Sequence, residues 1–150
     1  MNKIILYAPN VHTGGGLVLL KALLACWPEE TRKFALLDQR LLNMLSPPKP
    51  CDIRWVKPTL RSRLKAELAM RNITSSGDTV LFFHGLPPLF PVKGRVVLFF
   101  QNRDLLGLNS LFDLARLISF KIAISIALQR FFSRLFYYRV HEYIVQTPTM

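Results

Sequence analysis

The sequence predicts a doubly wound α/β domain, a mainly parallel sheet with helices on both faces. Six short runs have the length and composition of strands, and helix-like segments lie between them. Most of these runs are continuously apolar instead of alternating, as strands covered on both faces are.

The first run is KIILYA, residues 3–8, followed by Pro9-Asn10-Val11-His12-Thr13-Gly14-Gly15-Gly16. A helix over residues 17–26 follows. It is apolar all round except for Lys21, so it is expected to be buried, and Trp27-Pro28 stops it. The second strand is read at residues 33–38. Pro47, Pro48 and Pro50 then mark a loop before a third strand at residues 53–56. Residues 59–71 form an amphipathic helix in which Leu60, Leu64 and Leu68 make the apolar stripe, with Arg61, Arg63, Lys65 and Arg71 off it. Strands at residues 78–83 and 95–100 flank a second proline loop at Pro87, Pro88 and Pro91. Residues 111–139 read as one long helix or two joined pieces, and residues 142–145 as the last strand. Thr147 before Pro148 resembles a helix start. The domain, residues 1–150, is therefore expected to be incomplete at its C-terminal end.

Composition narrows the function classes. Apolar residues are 51% of the chain, which excludes intrinsic disorder. Twenty Lys+Arg against nine Asp+Glu give +11, which favours an anionic partner. Cys26 and Cys51 cannot make a disulfide scaffold, and no Cys/His spacing points to a metal, so a reducing compartment and no metal are expected. The first apolar run is too short for a signal peptide. Within residues 111–138 the longest uncharged run is eight residues, 122–129, against the roughly 20 a spanning helix needs.

Three loops at the carboxyl ends of strands hold the candidate chemistry, because ligands of open α/β sheets bind there. Gly14, Gly15 and Gly16 leave backbone N–H groups open at a helix start, where the dipole favours an anion; the competing reading is a turn needing positive φ. The spacing matches neither G-x-G-x-x-G nor a P-loop. His84 directly follows a buried strand, where a base or a hydrogen-bond donor to substrate would sit, although a histidine there can be a plain loop residue. Gln101-Asn102-Arg103-Asp104 offers amide and guanidinium groups for hydroxyls or phosphate, or else a solvated turn. Asp38, ending the second strand, suggests a ribose-binding acid only weakly without the glycine fingerprint.

The order of these pieces resembles the N-terminal domain of GT-B glycosyltransferases, and most nearly the retaining family-4 group that assembles bacterial polysaccharides. The likeness rests on Gly14-Gly15-Gly16-Leu17 opening a helix, His84 after the fourth strand, Gln101-Asn102 after the fifth, and Tyr143-Ile144-Val145-Gln146-Thr147-Pro148-Thr149 at the end. It implies a Rossmann-like half, the acceptor-side domain of a two-domain enzyme. It further implies that Gly14, Gly15 and Gly16 face a nucleotide-sugar donor, that His84 contacts the transferred sugar as the catalytic histidine, and that Asn102 and Arg103 line the acceptor cleft. The donor-binding domain with its Glu-x7-Glu motif would be a separate, missing half, so the chain alone is expected to be inactive.

The expected function is sugar transfer from a nucleotide-sugar to a polysaccharide or lipid-linked acceptor, with no cofactor or metal. The expected location is cytoplasmic, peripheral at the anionic inner membrane face, where basic segments at residues 57–71 and 116–139 would dock. The alternative is a non-enzymatic anion- or nucleic-acid-binding α/β module. Nucleic acid is disfavoured because Phe82, Phe83, Phe99 and Phe100 lie inside strands instead of alternating with basic residues. A dinucleotide-binding protein is disfavoured by the missing fingerprint.

Overall fold

The computed structural model describes residues 3–28, 32–45, 51–100 and 120–145, with side chains of the last stretch from residue 123. Six parallel strands form one sheet: β1 (Lys3–Ala8), β2 (Arg32–Asp38), β3 (Cys51–Val56), β4 (Thr79–Phe82), β5 (Arg95–Phe100) and β6 (Glu142–Val145). Their order is β3-β2-β1-β4-β5-β6, the order of Rossmann-type doubly wound sheets. Three α-helices are described: α1 (Gly14–Ala25), α2 (Leu60–Ile73) and α3 (Phe120–Phe136), with 3₁₀ turns at Gln39–Leu41 and Tyr137–Arg139. The expected α/β class is what the chain adopts.

Side chains alternate across the strands and divide the core in two. Ile5, Tyr7, Val80 and Phe82 pack with Ala66 and Met70 of α2 on one face. Leu6, Ala8, Ala35 and Leu37 pack with Leu20 and Leu24 of α1 on the other. Helix α3 lies on the α2 side, where it shares a pocket with Leu98 and Phe100.

Two expectations about burial are corrected. Helix α1 is covered on one side only: Leu20 and Leu24 are buried while Val18 is 67% exposed, because a single sheet face is all that it meets. In α2 the buried residues are Ala66, Glu67 and Met70, whereas Leu60 and Leu68 are exposed. A strict four-residue spacing drifts about 40° per step around a 3.6-residue helix, so the leucine stripe leaves the sheet while Ala66, Met70 and Ile73 stay on it. Strand β6 is exposed at all four residues because it is the sheet edge. The anticipated helix start at Thr147 lies outside the described residues.

Asp78 ties the amino end of the sheet together. Its carboxylate accepts from the Lys3 backbone N–H at 2.9 Å and from the Ser75 N–H at 2.8 Å, and its carbonyl accepts from Arg95 N–H at 2.8 Å. Gly94 abuts this knot, and a Cβ there would stand 2.4 Å from the Asp78 carbonyl oxygen. Gly94→Ala is therefore expected to cost about 1–3 kcal/mol, the usual range for overpacking. Chemical denaturation should show a lowered midpoint; an unchanged one would refute this close packing.

Candidate functional site

The strand order reverses between β1 and β4, and ligands of doubly wound sheets bind beyond the carboxyl ends at such a point. A cavity of about 530 Å³ opens there, between the ends of β1 and β4 and helices α2 and α3. Tyr7 pairs with Phe82 across the two strands, and His84 follows two residues later on the same face. Its ring packs edge-on to Tyr7 at 5.2 Å and stacks near Phe82 at 5.9 Å. Gly85, at φ +77°, turns the chain directly afterwards, a conformation that side chains other than glycine rarely take. Strand alternation, two aromatic rings and this turn together hold the imidazole in the cavity wall.

The polar groups here are strongly shaped by burial. His84 Nδ1 is out of solvent with no hydrogen-bond partner among the described residues, and so is Arg63 Nε. Burial, helped by the Arg63 charge, pushes His84 down to about 4. Burial pushes Glu67 up to about 7, against the opposing pull of the Leu89 N–H, which donates to Glu67 Oε1 at 3.0 Å, and of the Arg139 charge. Tyr7 is raised chiefly by burial and also by Glu67, with Arg63 opposing. At neutral pH the imidazole and phenol are thus uncharged and Glu67 is about half protonated. Arg63 holds the permanent charge among the residues lining the cavity. Such a site can hold an anionic or hydroxyl-rich group, with Arg63 supplying charge and the neutral His84 donating or accepting according to its tautomer.

The loop after β1 is clamped at two points. Arg63 donates to Asn10 Oδ1 at 2.7 Å on the cavity side. Further along the loop Arg40 pairs with His12 Nε2 at 2.8 Å and grips Asp38 through two side-chain hydrogen bonds of 2.8 and 2.6 Å. Burial raises the Asp38 pKa, but the bonds and charge of Arg40 outweigh it and hold the carboxyl below its ordinary range. Asp38 is thus committed to Arg40, which corrects the ribose-acid reading.

The glycines are not a loop preceding the helix; they are its first turn. Gly14 enters it at φ +65°, so the backbone requirement falls on Gly14 and not on Gly15. A Cβ at either position would meet nothing within 4 Å, and Thr13 makes no side-chain cap. Gly14, Gly15 and Gly16 open α1 on the opposite face from His84 and are not among the residues lining its cavity. They share the carboxyl edge of the sheet with it, joined through Asn10. Asn102 and Arg103 lie outside the described residues.

Sequence reading missed Tyr7, Arg63 and Glu67. Arg63 looked like one of several solvated arginines, and Tyr7 like plain strand core. The signal available was Glu67 itself, a carboxylate four residues after Arg63 and three before the buried Met70. No protein-family model, curated protein or solved structure matches the chain.

Proposed function

We propose that the chain is the acceptor-side domain of a GT-B-type glycosyltransferase, moving a sugar from a nucleotide-sugar to a glycan or lipid-linked acceptor. The observation that carries this reading is the neutral His84, whose buried Nδ1 has no hydrogen-bond partner among the described residues, beside Arg63 in a cavity at the strand-order reversal. A neutral imidazole suits a sugar hydroxyl, and the guanidinium suits a phosphate oxygen. In this reading Gly14, Gly15 and Gly16 offer uncapped N–H groups to the donor diphosphate, and no acidic residue in the first turn of α1 repels it. The other donor contacts and the catalytic closure come from a second domain, with Asn102 and Arg103 facing the acceptor.

Calorimetric titration with nucleotide-sugars, a dinucleotide and an oligonucleotide separates the readings. Binding of nucleotide-sugar that weakens in Arg63→Gln supports the transferase. Preferential binding of oligonucleotide or dinucleotide, unaffected by that change, overturns it.

The same reading places the protein against an anionic membrane face. Among the described residues no helix is long and apolar enough to cross a membrane. Helix α3 nevertheless exposes Ile124, Leu128, Phe131 and Leu135 at four- and three-residue spacing, one stripe of the helix, with Arg130 and Arg134 on the same element. Basic residues near an anionic surface contribute about 1 kcal/mol each. Co-sedimentation with anionic vesicles is expected to fall steeply as salt rises, since the screening length is only about 8 Å at physiological ionic strength. Equal binding to neutral and anionic vesicles would contradict this docking.

A further inference from the structure

The cavity at the carboxyl edge has a polar floor and an apolar rim. His84 and Tyr7 stand at the strand ends, with Arg63 tied to Asn10 beside them. Leu60 of α2 and Leu128 and Phe132 of α3 line the same cavity yet are solvent-exposed, which puts them at its mouth. Leu60 is the extreme case at 74% exposure. A small hydrophilic ligand would satisfy the floor and leave three large apolar side chains wet. An aliphatic ligand would cover the rim and leave the buried Arg63 Nε, which has no partner among the described residues, unsatisfied.

One ligand class satisfies both ends. We propose that this cavity binds an amphiphile with a phosphate head, the phosphate held by Arg63 and the alkyl chain leaving between α2 and α3 over Leu60, Leu128 and Phe132. The charge fits, because Arg63 is the permanently charged lining group and the whole chain carries +11. The rim is also continuous with the exposed α3 stripe, since Leu128 belongs to both. A chain leaving the cavity therefore passes onto an apolar helix face. The inference rests on the transferase reading only for the ligand's role, which would be that of a lipid-phosphate acceptor; the binding itself is independent of it.

The test is calorimetry of the whole chain with hexyl, octyl and decyl phosphate below their micellar concentrations, beside inorganic phosphate and decyl maltoside. Affinity is expected to climb about fourfold for each methylene that is buried, with inorganic phosphate weakest. Arg63→Gln should weaken decyl phosphate at least about tenfold while leaving decyl maltoside unchanged. Leu128→Asn, at an exposed position, should flatten the chain-length series without adding charge and so without altering inorganic phosphate binding; Leu60→Asn repeats this from α2. Circular dichroism establishes that each variant is folded. Inorganic phosphate binding as tightly as decyl phosphate would overturn the amphiphile. Decyl maltoside matching decyl phosphate would overturn the phosphate head, and a chain-length series unchanged in both asparagine variants would overturn the exit over the rim. None of these outcomes bears on nucleotide-sugar binding, so the two readings fail separately.

Discussion

Glu67→Gln is expected to stabilise the protein by roughly 3 kcal/mol above pH 7 and by almost nothing at pH 4. Burial holds the folded Glu67 at about 7 against an ordinary 4.5. A raised folded value means that the native state keeps its proton more tightly than the unfolded chain. Its contribution is therefore fully present below 4.5 and is lost as pH rises through about 7. Glutamine keeps the oxygen that accepts from the Leu89 N–H and never ionises. His84 acts in the opposite sense. Its folded value is depressed to about 4 from 6.5, so its contribution is present above 6.5 and is lost as pH falls through about 4. Between these limits the two slopes oppose each other, and the wild-type melting temperature should be nearly flat. Glu67→Gln should unmask a rise with pH, and His84→Gln a fall. Asp38 and Asp78 are both held below 3.8, so their losses come at more acid pH and leave this window clear. Parallel profiles for wild type and both variants would show that the two groups are not buried as described.

The second large effect is on binding. Arg63→Gln is expected to weaken a sugar phosphate about 10- to 100-fold, the range for losing a charge-assisted hydrogen bond at a desolvated site. His84→Ala should weaken it less, because a neutral imidazole makes a neutral bond, and should affect sugars lacking phosphate equally. Arg63→Gln should leave those sugars untouched. Titrations of both variants against a sugar and its phosphate would resolve this pattern. Equal losses for both ligands in Arg63→Gln would assign the guanidinium a packing role only.

The architecture was legible because most of the strands are continuously apolar. The runs at residues 3–8, 95–100 and 142–145 were read to the residue. The site was half legible. His84 stood out because it follows a strand and precedes a glycine; β4 ends two residues before it, at Phe82, and Gly85 does make the turn after it. Arg63 and Glu67 did not, since their roles depend on α2 crossing the strand ends, which no local pattern encodes. A leucine every fourth residue looked like the buried face of α2, yet Leu60 belongs to the rim of a cavity and Glu67 to the interior. In α2 the buried Glu67 and the exposed Leu60 both depart from simple patterning, and both line the cavity.

The central claim is that the ligand enters the cavity at the ends of β1 and β4. A side-chain NMR titration of the whole chain with nucleotide-sugars tests it most directly, following the Arg63 Nε–H, the His84 ring and the amides of Gly14, Gly15 and Gly16. The account predicts that the Arg63 and His84 signals shift together and saturate with one affinity, alongside the glycine amides. Saturable shifts confined to the glycine amides, with Arg63 and His84 unmoved, would contradict it.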